Sequence, residues 1–331
     1  MGRTLNMIRI GINGFGRIGR CVTRHIMNDR NDMQIVQINA TGGEETNMHL
    51  LKYDSVHGRY RGHIQQDIIW TEERDIEKIK WDDVDVVLEC TGAYNNGLKC
   101  VHHTVNGANK VIISAPAKDC KKTVVYGVNH TELTKNDRIV SNASCTTNCL
   151  APIVKVLHDT LGIIGGQMTT VHSYTGDQAT IDKKHKDPYR SRAGGINIIP
   201  TNTGAAKALD LVLPDVAGKI KGSAIRVPTP NVSCVDLTVQ VEREVSPEMV
   251  NEFVKYASQS TMKGIIGYEI DPLVSSDFNG SSESCIFSPD QTRVVNEHLV
   301  RVMAWYDNEW AFSCRMADLA SHMVQLNIDK R

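Results

Sequence analysis

The sequence predicts an α/β protein with a doubly wound parallel sheet in its first half and an α+β second half built on a mostly antiparallel sheet. Three observations carry this prediction. Short apolar runs alternate with helical patterns up to about residue 145, longer alternating segments follow, and a glycine-rich turn joins the first strand to the first helix. We expect a first domain over residues 1–144, a second over 145–308, and a C-terminal helix over 309–331 that packs back on the first domain.

Hydrophobic periodicity supports each element of the first half. Strands are predicted at residues 8–12, 33–38, 84–88, 111–113, 124–126 and 138–140. Between the first two strands, apolar or small residues recur at helical spacing: Ile18, Cys21, Val22 and Ile26. Strands separated by helical patterns imply a parallel sheet that helices cover on both faces.

The second half has a different pattern. Residues 167–172 and 234–241 alternate in hydrophobicity, as strands of an antiparallel sheet do. Residues 174–202 form a long, polar and basic segment, and loops of that length are usually functional or disordered. Apolar residues at helical spacing between 309 and 326 predict the C-terminal helix.

Composition indicates a globular protein that binds small molecules. The 331 residues are 41% hydrophobic and 23% charged, and 37 basic side chains nearly balance 38 acidic ones. No net field therefore attracts the whole chain to nucleic acid. The nine cysteines are scattered, as in proteins of a reducing compartment. The sequence has no signal-like apolar start and no apolar run of the ~20 residues that a membrane span needs, so we expect a cytoplasmic protein.

The glycine-rich turn predicts a dinucleotide site of the Rossmann type. Residues 14–19 have the pattern G-x-G-x-x-G, which lets backbone N–H groups approach a pyrophosphate at a helix N-terminus. NAD-binding folds of this type usually end the second strand with an acid that binds the adenosine ribose. Here Asn39, Ala40 and Thr41 stand there instead. Ala40 neither bonds a 2′-hydroxyl nor repels a 2′-phosphate, which weakens the case for strict use of NAD.

Cys145 is the candidate nucleophile. It follows a predicted strand and precedes the apolar segment 150–154, so a helix N-terminus should lower the pKa of its thiol. Taken alone, a small residue at a turn is the commoner explanation. Cys149 lies one helical turn later, but no further ligand cluster accompanies the two thiols, so we expect no metal site.

The block at 143–148 resembles the active-site signature of the phosphorylating glyceraldehyde-3-phosphate dehydrogenase family. Similar blocks follow the family's order at 12–20, 52–58, 89–92, 114–118, 204–208 and 305–310. The resemblance implies a homotetramer that oxidises D-glyceraldehyde 3-phosphate to 1,3-bisphosphoglycerate with NAD or NADP and inorganic phosphate. In this reaction Cys145 forms a thioester and His172 is the general base.

The resemblance also implies roles for other residues. The implied cofactor contacts are Asn13, Gly14, Phe15, Gly16, Arg17, Ile18, Asn39, Ala40, Thr41, Thr91, Gly92, Ser114, Ala115 and Asn308, the last of which binds the nicotinamide carboxamide. Thr175 and Arg226 would bind the substrate phosphate, with Asp177 orienting nearby groups. The attacking phosphate would meet Ser144, Thr146, Arg190, Thr203 and Gly204. Arg190 departs from the family's usual pair of adjacent arginines, because a serine separates it from Arg192.

The long loop affects the choice of cofactor. Asp182, Lys183 and Lys184 stand where NAD-specific relatives commonly carry Leu-Pro. In NADP-using relatives this loop approaches the adenosine 2′-phosphate of a neighbouring subunit. Thr41 would donate to that phosphate and Lys184 or Lys183 would pair with it, which favours NADP or dual use, unless the lysines are only solvated charges. Erythrose-4-phosphate dehydrogenase is the alternative activity, although the patterns at 114–116 and 172–175 argue against it. Nucleic-acid binding remains open only as a secondary role.

Overall fold

The computed structural model describes residues 7–326 and divides the chain into two compact units. The first unit is the chain up to Ala143 together with the segment from Phe312 onward. The second unit is Ser144–Ala311.

The first unit is built on a parallel sheet. Its elements up to residue 141 are β1 (Ile8–Asn13), α1 (Arg17–Asp29), β2 (Met33–Asn39), α2 (Glu44–Lys52), β3 (Tyr53–Asp54), β4 (Gly58–Arg59), β5 (Ile69–Thr71), β6 (Val86–Glu89), α3 (Gly97–Val105), β7 (Lys110–Ile113), β8 (Lys122–Thr123) and β9 (Ile139–Ser141). Seven strands form the sheet in the order β5-β2-β1-β6-β7-β9-β8, and every neighbouring pair is parallel. The predicted parallel sheet is confirmed.

The order of the strands creates a switch point between β1 and β6. From β1 the chain proceeds to β2 on one side, whereas β6 leads to β7 and β9 on the other. The register pairs Asn13 with Asn39 and with Glu89, so three polar residues end adjacent strands at one edge. In open α/β sheets ligands bind outside the carboxyl ends of the strands at such a point.

Buried side chains explain why β1 is central. Ile10 and Ile12 have no exposed surface. Gly11 between them lies against the indole of Trp81, and a Cβ there would stand 2.8 Å from the ring. A larger residue at position 11 would therefore displace Trp81.

One predicted strand is shifted. The strand expected at 124–126 is β8, Lys122–Thr123, two residues earlier. The side chain of Asn129 explains the shift, because its Oδ1 accepts from Val125 N at 2.8 Å and its Nδ2 donates to Thr123 O at 3.1 Å. These bonds turn the backbone out of the sheet after Thr123.

The second unit carries a mixed, mostly antiparallel sheet, as predicted. Its elements are α4 (Cys145–Leu161), β10 (Ile163–Ser173), β11 (Ile199–Thr201), α5 (Ala205–Val212), β12 (Ile220–Val227), β13 (Ser233–Val241), α6 (Pro247–Gln259), β14 (Ile266–Tyr268), β15 (Cys285–Phe287), β16 (Arg293–Val295) and β17 (Leu299–Tyr306). The sheet order is β11-β12-β10-β13-β17-β15-β14, with β16 on β17. The pairs β10–β12 and β14–β15 are parallel, and the other pairs are antiparallel.

Helices α4, α5 and α6 pack on strands of this sheet. The long segment 174–202 contains β11 and one short 3₁₀ helix, Tyr189–Ser191. Other 3₁₀ turns are His130–Glu132, Pro214–Val216, Ser275–Phe278 and Pro289–Gln291.

The last helix, α7 (Trp310–Gln325), matches the helix predicted near the C-terminus. From Phe312 onward it belongs to the first unit. Its apolar side chains Met316, Leu319 and Ala320 have no exposed surface. Arg30, just after α1, donates to Asp318 at 2.8 Å and to Ser321 at 2.6 Å, which ties α7 to the start of β2. Within residues 7–326, no helix is both long and apolar enough to cross a membrane.

Candidate active site

Cys145 is the first residue of α4. Ser144 is the N-cap of the helix, and its Oγ accepts from Thr147 N at 3.1 Å. The preceding Ala143 has φ of 55°, a left-handed conformation that is uncommon for a residue with a Cβ. The chain therefore turns sharply just before the nucleophile, as backbone at functional sites often does.

The thiol of Cys145 faces the imidazole of His172, which lies near the end of β10. Cys145 Sγ is 3.5 Å from His172 Nε2, and His172 Nδ1 is 2.7 Å from Ser173 O. Ser173 O can only accept and favours a proton on Nδ1, whereas Arg226 Nη1, 3.1 Å from the same nitrogen, can only donate. With the proton on Nδ1, the lone pair of Nε2 is free to accept the thiol proton.

The pKa values of this pair favour the neutral form of both groups. Burial, and then the charge of Arg226, lower the pKa of His172 to about 3. Burial raises the pKa of the Cys145 thiol, although Arg226 and the Thr146 N–H act in the opposite direction. The sequence predicted that the helix N-terminus lowers the thiol pKa, and that prediction was wrong because burial of sulfur raises it.

Arg226 connects the base to a set of anion-binding groups. It pairs in register with His172 across β10 and β12. Its Nη1 donates to Ser173 O at 2.9 Å and to Thr175 Oγ1 at 3.1 Å. The Thr175 hydroxyl also donates to Asp177. Thr175 and Arg226, which the sequence assigned to the substrate phosphate, therefore lie together beside the imidazole.

Asp177 joins this group to the long loop. Its Oδ2 accepts from Arg190 Nη1 at 2.8 Å. Arg190 also donates to Thr201 Oγ1 at 3.0 Å and to Asn202 O at 3.2 Å. Burial would raise the pKa of the Asp177 carboxyl, but the Thr175 hydroxyl, Arg226 and Arg190 together lower it. The loop therefore carries a carboxylate between two guanidinium groups.

The other residues assigned to the attacking phosphate have structural contacts here. Ser144 caps α4, and Thr203 Oγ1 accepts from Ala205 N at 3.2 Å next to Gly204, the N-cap of α5. Thr146 is buried, and its Oγ1 is 2.8 Å from the hydroxyl of Tyr306. The Tyr306 ring is edge-on to His172, with centroids 5.9 Å apart. Capping, which a residue at a turn often provides, therefore accounts for the visible contacts of Ser144 and Thr203.

The glycine-rich turn fits a pyrophosphate. Gly14 has φ of 91°, and a Cβ there would stand 2.7 Å from Thr91 N. A Cβ on Gly19 would stand 2.2 Å from Gly14 O, whereas a Cβ on Gly16 would meet nothing within 4 Å. Gly16 caps α1 without a side-chain acceptor. No side chain thus caps the start of α1, and a helix N-terminus is where dinucleotide-binding folds hold a pyrophosphate.

The side chains of this turn mainly stabilise it. Arg17 forms a bidentate pair with Asp54. Phe15 is buried, and its ring centroid lies 5.3 Å from that of Trp70. Ile18 is half-buried. The Arg17 side chain is therefore engaged within the protein.

A buried carboxylate that was not predicted as a site residue lies at the switch point. Glu89 Oε2 accepts from Asn13 Nδ2 at 2.6 Å, and its Oε1 accepts from Thr91 N at 2.8 Å and from the Thr91 hydroxyl. His103 Nε2 is 3.1 Å from Glu89 Oε2, while Trp81 Nε1 donates to His103 Nδ1 at 3.0 Å. In the sequence, the feature that could have indicated this site is an acidic residue, Glu89, at the end of an apolar strand.

Asn39 has no free side-chain group for a ribose. Its Nδ2 donates to Asn13 Oδ1 and Glu73 O, both at 2.8 Å, and its Oδ1 accepts from Thr71 Oγ1 and Glu73 N at 2.8 and 2.9 Å. The remaining positions assigned to the cofactor are buried Ala40, half-buried Ser114 and Ala115, and exposed Thr41, Gly92 and Lys184.

Asn308 is almost fully buried in the second unit. Its Oδ1 accepts from Ser173 Oγ at 2.8 Å and from Ser233 Oγ at 2.9 Å. Neither serine was predicted as a site residue, because a single serine within a strand has no distinguishing pattern. The Asn308 side chain is thereby held in one orientation.

Fold and turn together define a dinucleotide-binding protein, and comparison with known proteins identifies its family. Residues 144–308 match the C-terminal domain of glyceraldehyde 3-phosphate dehydrogenase, and residues 8–97 match its NAD-binding domain. The chain belongs to the glyceraldehyde-3-phosphate dehydrogenase family. It is therefore an oxidoreductase that uses a nicotinamide cofactor.

Similar proteins cover nearly the whole chain. A glyceraldehyde-3-phosphate dehydrogenase of Cereibacter sphaeroides is 50% identical over 330 residues, which are 96% of this chain and 99% of that protein. One of Xanthobacter flavus is 50% identical over 332 residues, with the same coverage of 96% and 99%. One of Pseudomonas aeruginosa is 50% identical over 327 residues, 95% and 97% of the two chains.

Proposed function

We propose that the chain oxidises D-glyceraldehyde 3-phosphate to 1,3-bisphosphoglycerate with inorganic phosphate, through a thioester on Cys145. The observation that carries this proposal is the 3.5 Å contact between Cys145 Sγ and His172 Nε2. A thiol needs an adjacent base to become a nucleophile, and the held tautomer of His172 supplies one.

In the first step, Cys145 Sγ bonds to the aldehyde carbon, and the thiol proton passes through His172 Nε2 to the carbonyl oxygen. The product is a hemithioacetal. His172, neutral because of its low pKa, then accepts the proton of the hemithioacetal hydroxyl at Nε2. When bound, the nicotinamide supplies the acceptor for the hydrogen that leaves the substrate carbon with its electron pair.

The thioester is then cleaved by phosphate. A phosphate oxygen bonds to the carbonyl carbon, the C–S bond breaks, and the electron pair of that bond returns to Cys145 Sγ. The backbone N–H of Cys145, at the start of α4, and the imidazole are the candidate donors to the oxyanion. His172 returns its proton to the thiolate.

The two phosphates are proposed to bind around Arg226 and Arg190. Thr175 and Arg226 bind the substrate phosphate, since they lie 3.1 Å apart next to the base, and Asp177 holds Arg190 in place. Arg190, Ser144, Thr146, Thr203 and Gly204 remain the proposed site of the attacking phosphate. The Thr146 hydroxyl must leave Tyr306 to take part in it.

We propose dual cofactor use with a preference for NADP. The second strand ends without a carboxylate, and the Asn39 amide is saturated by protein groups, so nothing there repels a 2′-phosphate. Lys184 is exposed in the loop, whereas its neighbour Asp182 is tied to Arg192 at 2.7 Å.

Substitution of Lys184 tests this preference. Initial rates with glyceraldehyde 3-phosphate are measured with NAD and NADP separately, with and without inorganic phosphate. Lys184→Ala should lower kcat/KM with NADP about tenfold and leave that with NAD unchanged, as loss of one charge-assisted bond predicts. Lys186→Ala, an exposed lysine in the same loop, is the control. Activity with NAD alone would contradict the preference, and phosphate-independent turnover would favour erythrose-4-phosphate dehydrogenase.

We further propose that the chain forms a homotetramer and that its domains are residues 1–144, 145–308 and a C-terminal helix, 309–331, joined to the first. One face of the second sheet packs against helices, while the other is lined by polar and apolar side chains open to solvent: Gln167, Thr169, Asp236, Thr238 and Leu299. In the proposed tetramer, a second copy of the chain covers this face. Light scattering of the purified protein measures the number of subunits, and a monomer would contradict the proposal.

A further inference from the structure

Two buried serines hold the side chain of Asn308. Ser173 ends β10 and has no exposed surface, and Ser233 begins β13 and is 1% exposed. Both hydroxyls lie within 2.9 Å of Asn308 Oδ1. An asparagine side chain presents either its oxygen or its NH₂ group to a given neighbour, so the donors around it decide its orientation.

The direction of these bonds follows from the backbone. Ser173 N donates to Ser233 Oγ at 3.1 Å, which occupies an acceptor position of that hydroxyl. The hydroxyl hydrogen of Ser233 is then free to donate to Asn308 Oδ1 at 2.9 Å. Since Ser173 Oγ donates to the same oxygen, two donors hold Oδ1 inward, and the NH₂ group of Asn308 points the other way.

The NH₂ group of Asn308 is available to a ligand. Among the residues that the structure describes, no acceptor takes up Asn308 Nδ2, although the residue is only 5% exposed. A carbonyl oxygen of a bound molecule can accept from this NH₂ group.

We propose that Ser233, together with Ser173, is a positioning residue that fixes the orientation of the Asn308 amide, so that Nδ2 is presented to the carbonyl of the nicotinamide carboxamide. This inference rests on the proposed function, in which Asn308 binds that carboxamide. Ser233 touches neither substrate nor cofactor and acts through Asn308. Without the Ser233 hydroxyl, only Ser173 donates to Asn308 Oδ1, so the amide is held less firmly in this orientation.

Binding of NAD⁺, followed by quenching of intrinsic tryptophan fluorescence, tests the proposal without turnover. Ser233→Ala should weaken NAD⁺ binding about three- to tenfold, the effect of one buried hydrogen bond. In an Asn308→Ala background the same substitution should have no further effect, because its target is gone. Ser288→Ala removes another buried serine hydroxyl of the second unit and should leave binding unchanged.

Three further results separate the possible outcomes. Asn308→Asp keeps the oxygen facing the serines but loses the NH₂ donor, and unweakened NAD⁺ binding by this variant would overturn the proposed role of Asn308 itself. If Asn308→Asp weakens binding but Ser233→Ala does not, the role of Ser233 alone is overturned. The rate of Cys145 alkylation by iodoacetamide should be the same in Ser233→Ala and the unaltered protein, and a slower rate would place the effect on His172 and overturn the proposal.

Discussion

Cys145 and His172 form a proton path that is set up by backbone geometry. Ser173 O, at 2.7 Å, favours the ring proton on Nδ1, and α4 places the thiol against Nε2. The sequence located both residues, but it could not give the direction of their pKa shifts. Burial of sulfur and imidazole depends on packing, and it outweighs the effect of the helix N-terminus.

Substitution of the base should separate nucleophile activation from folding. His172→Asn removes the proton acceptor, so kcat should fall about 10²- to 10⁴-fold, and alkylation of Cys145 by iodoacetamide at pH 7 should become slower. His102→Asn, a partly exposed histidine of α3, is the matched control and should change neither rate. An unchanged alkylation rate in His172→Asn would mean that the thiol is activated by another group.

At the scale of elements, polar residues at the ends of β1, β2 and β6 form a directed chain of hydrogen bonds. Glu89 can only accept, so Asn13 offers it Nδ2 and turns Oδ1 to Asn39. This chain supports the backbone of the glycine-rich turn and of Thr91. Periodicity predicted these strands because their apolar residues are periodic. It could not predict the polar chain, which depends on register between strands far apart in sequence.

Removal of the buried carboxylate should destabilise this edge of the sheet. Glu89→Ala leaves the donors of Asn13, Thr91 and His103 without their acceptor, and the free energy of unfolding should fall by about 3–5 kcal/mol. Urea unfolding measures the change. Glu77→Gln, at an exposed carboxylate, should cost less than about 0.5 kcal/mol. If the Glu89→Ala variant were as stable as the unaltered protein, this chain of hydrogen bonds would contribute nothing to the free energy of unfolding.

The contacts of Asp32 with Arg30 and with Ser321 of α7 should stabilise the folded protein less at low pH. Arg30, acting through its hydrogen bond, lowers the pKa of Asp32 from its ordinary 3.8 to about 2, and Ser321 adds to the effect. Because the pKa is lower in the folded state, the stabilisation is complete above pH 3.8 and is lost as the pH falls toward 2. The Asp32 side chain is 42% exposed, so the contribution is at most about 1 kcal/mol.

Thermal unfolding from pH 5 to pH 2.5 checks this dependence. Asp32→Asn should lower the Tm at pH 5, and the difference from the unaltered protein should shrink steadily as the pH falls to 2.5. A difference that stays constant over this range would rule out titration of Asp32 as its source.

At the scale of the whole molecule, each unit supplies part of the chemistry. The first carries the turn that fits a dinucleotide phosphate, and the second carries Cys145, His172 and the arginines. The sequence predicted the class of both sheets and the family, because those depend on patterns spread along the chain. The strand shifted to Lys122–Thr123 and the capping contacts of Ser144 depend on single side-chain bonds, which no pattern reveals.

In the proposed mechanism the substrate becomes covalently attached to Cys145. The most direct measurement is mass spectrometry of the protein after mixing with glyceraldehyde 3-phosphate and oxidised cofactor in phosphate-free buffer, followed by peptide mapping. We expect a 3-phosphoglyceroyl adduct on the peptide that contains Cys145, located on that residue and not on buried Cys149. The adduct should disappear when inorganic phosphate is added. Turnover without any such adduct, or an adduct that phosphate does not release, would contradict the proposed mechanism.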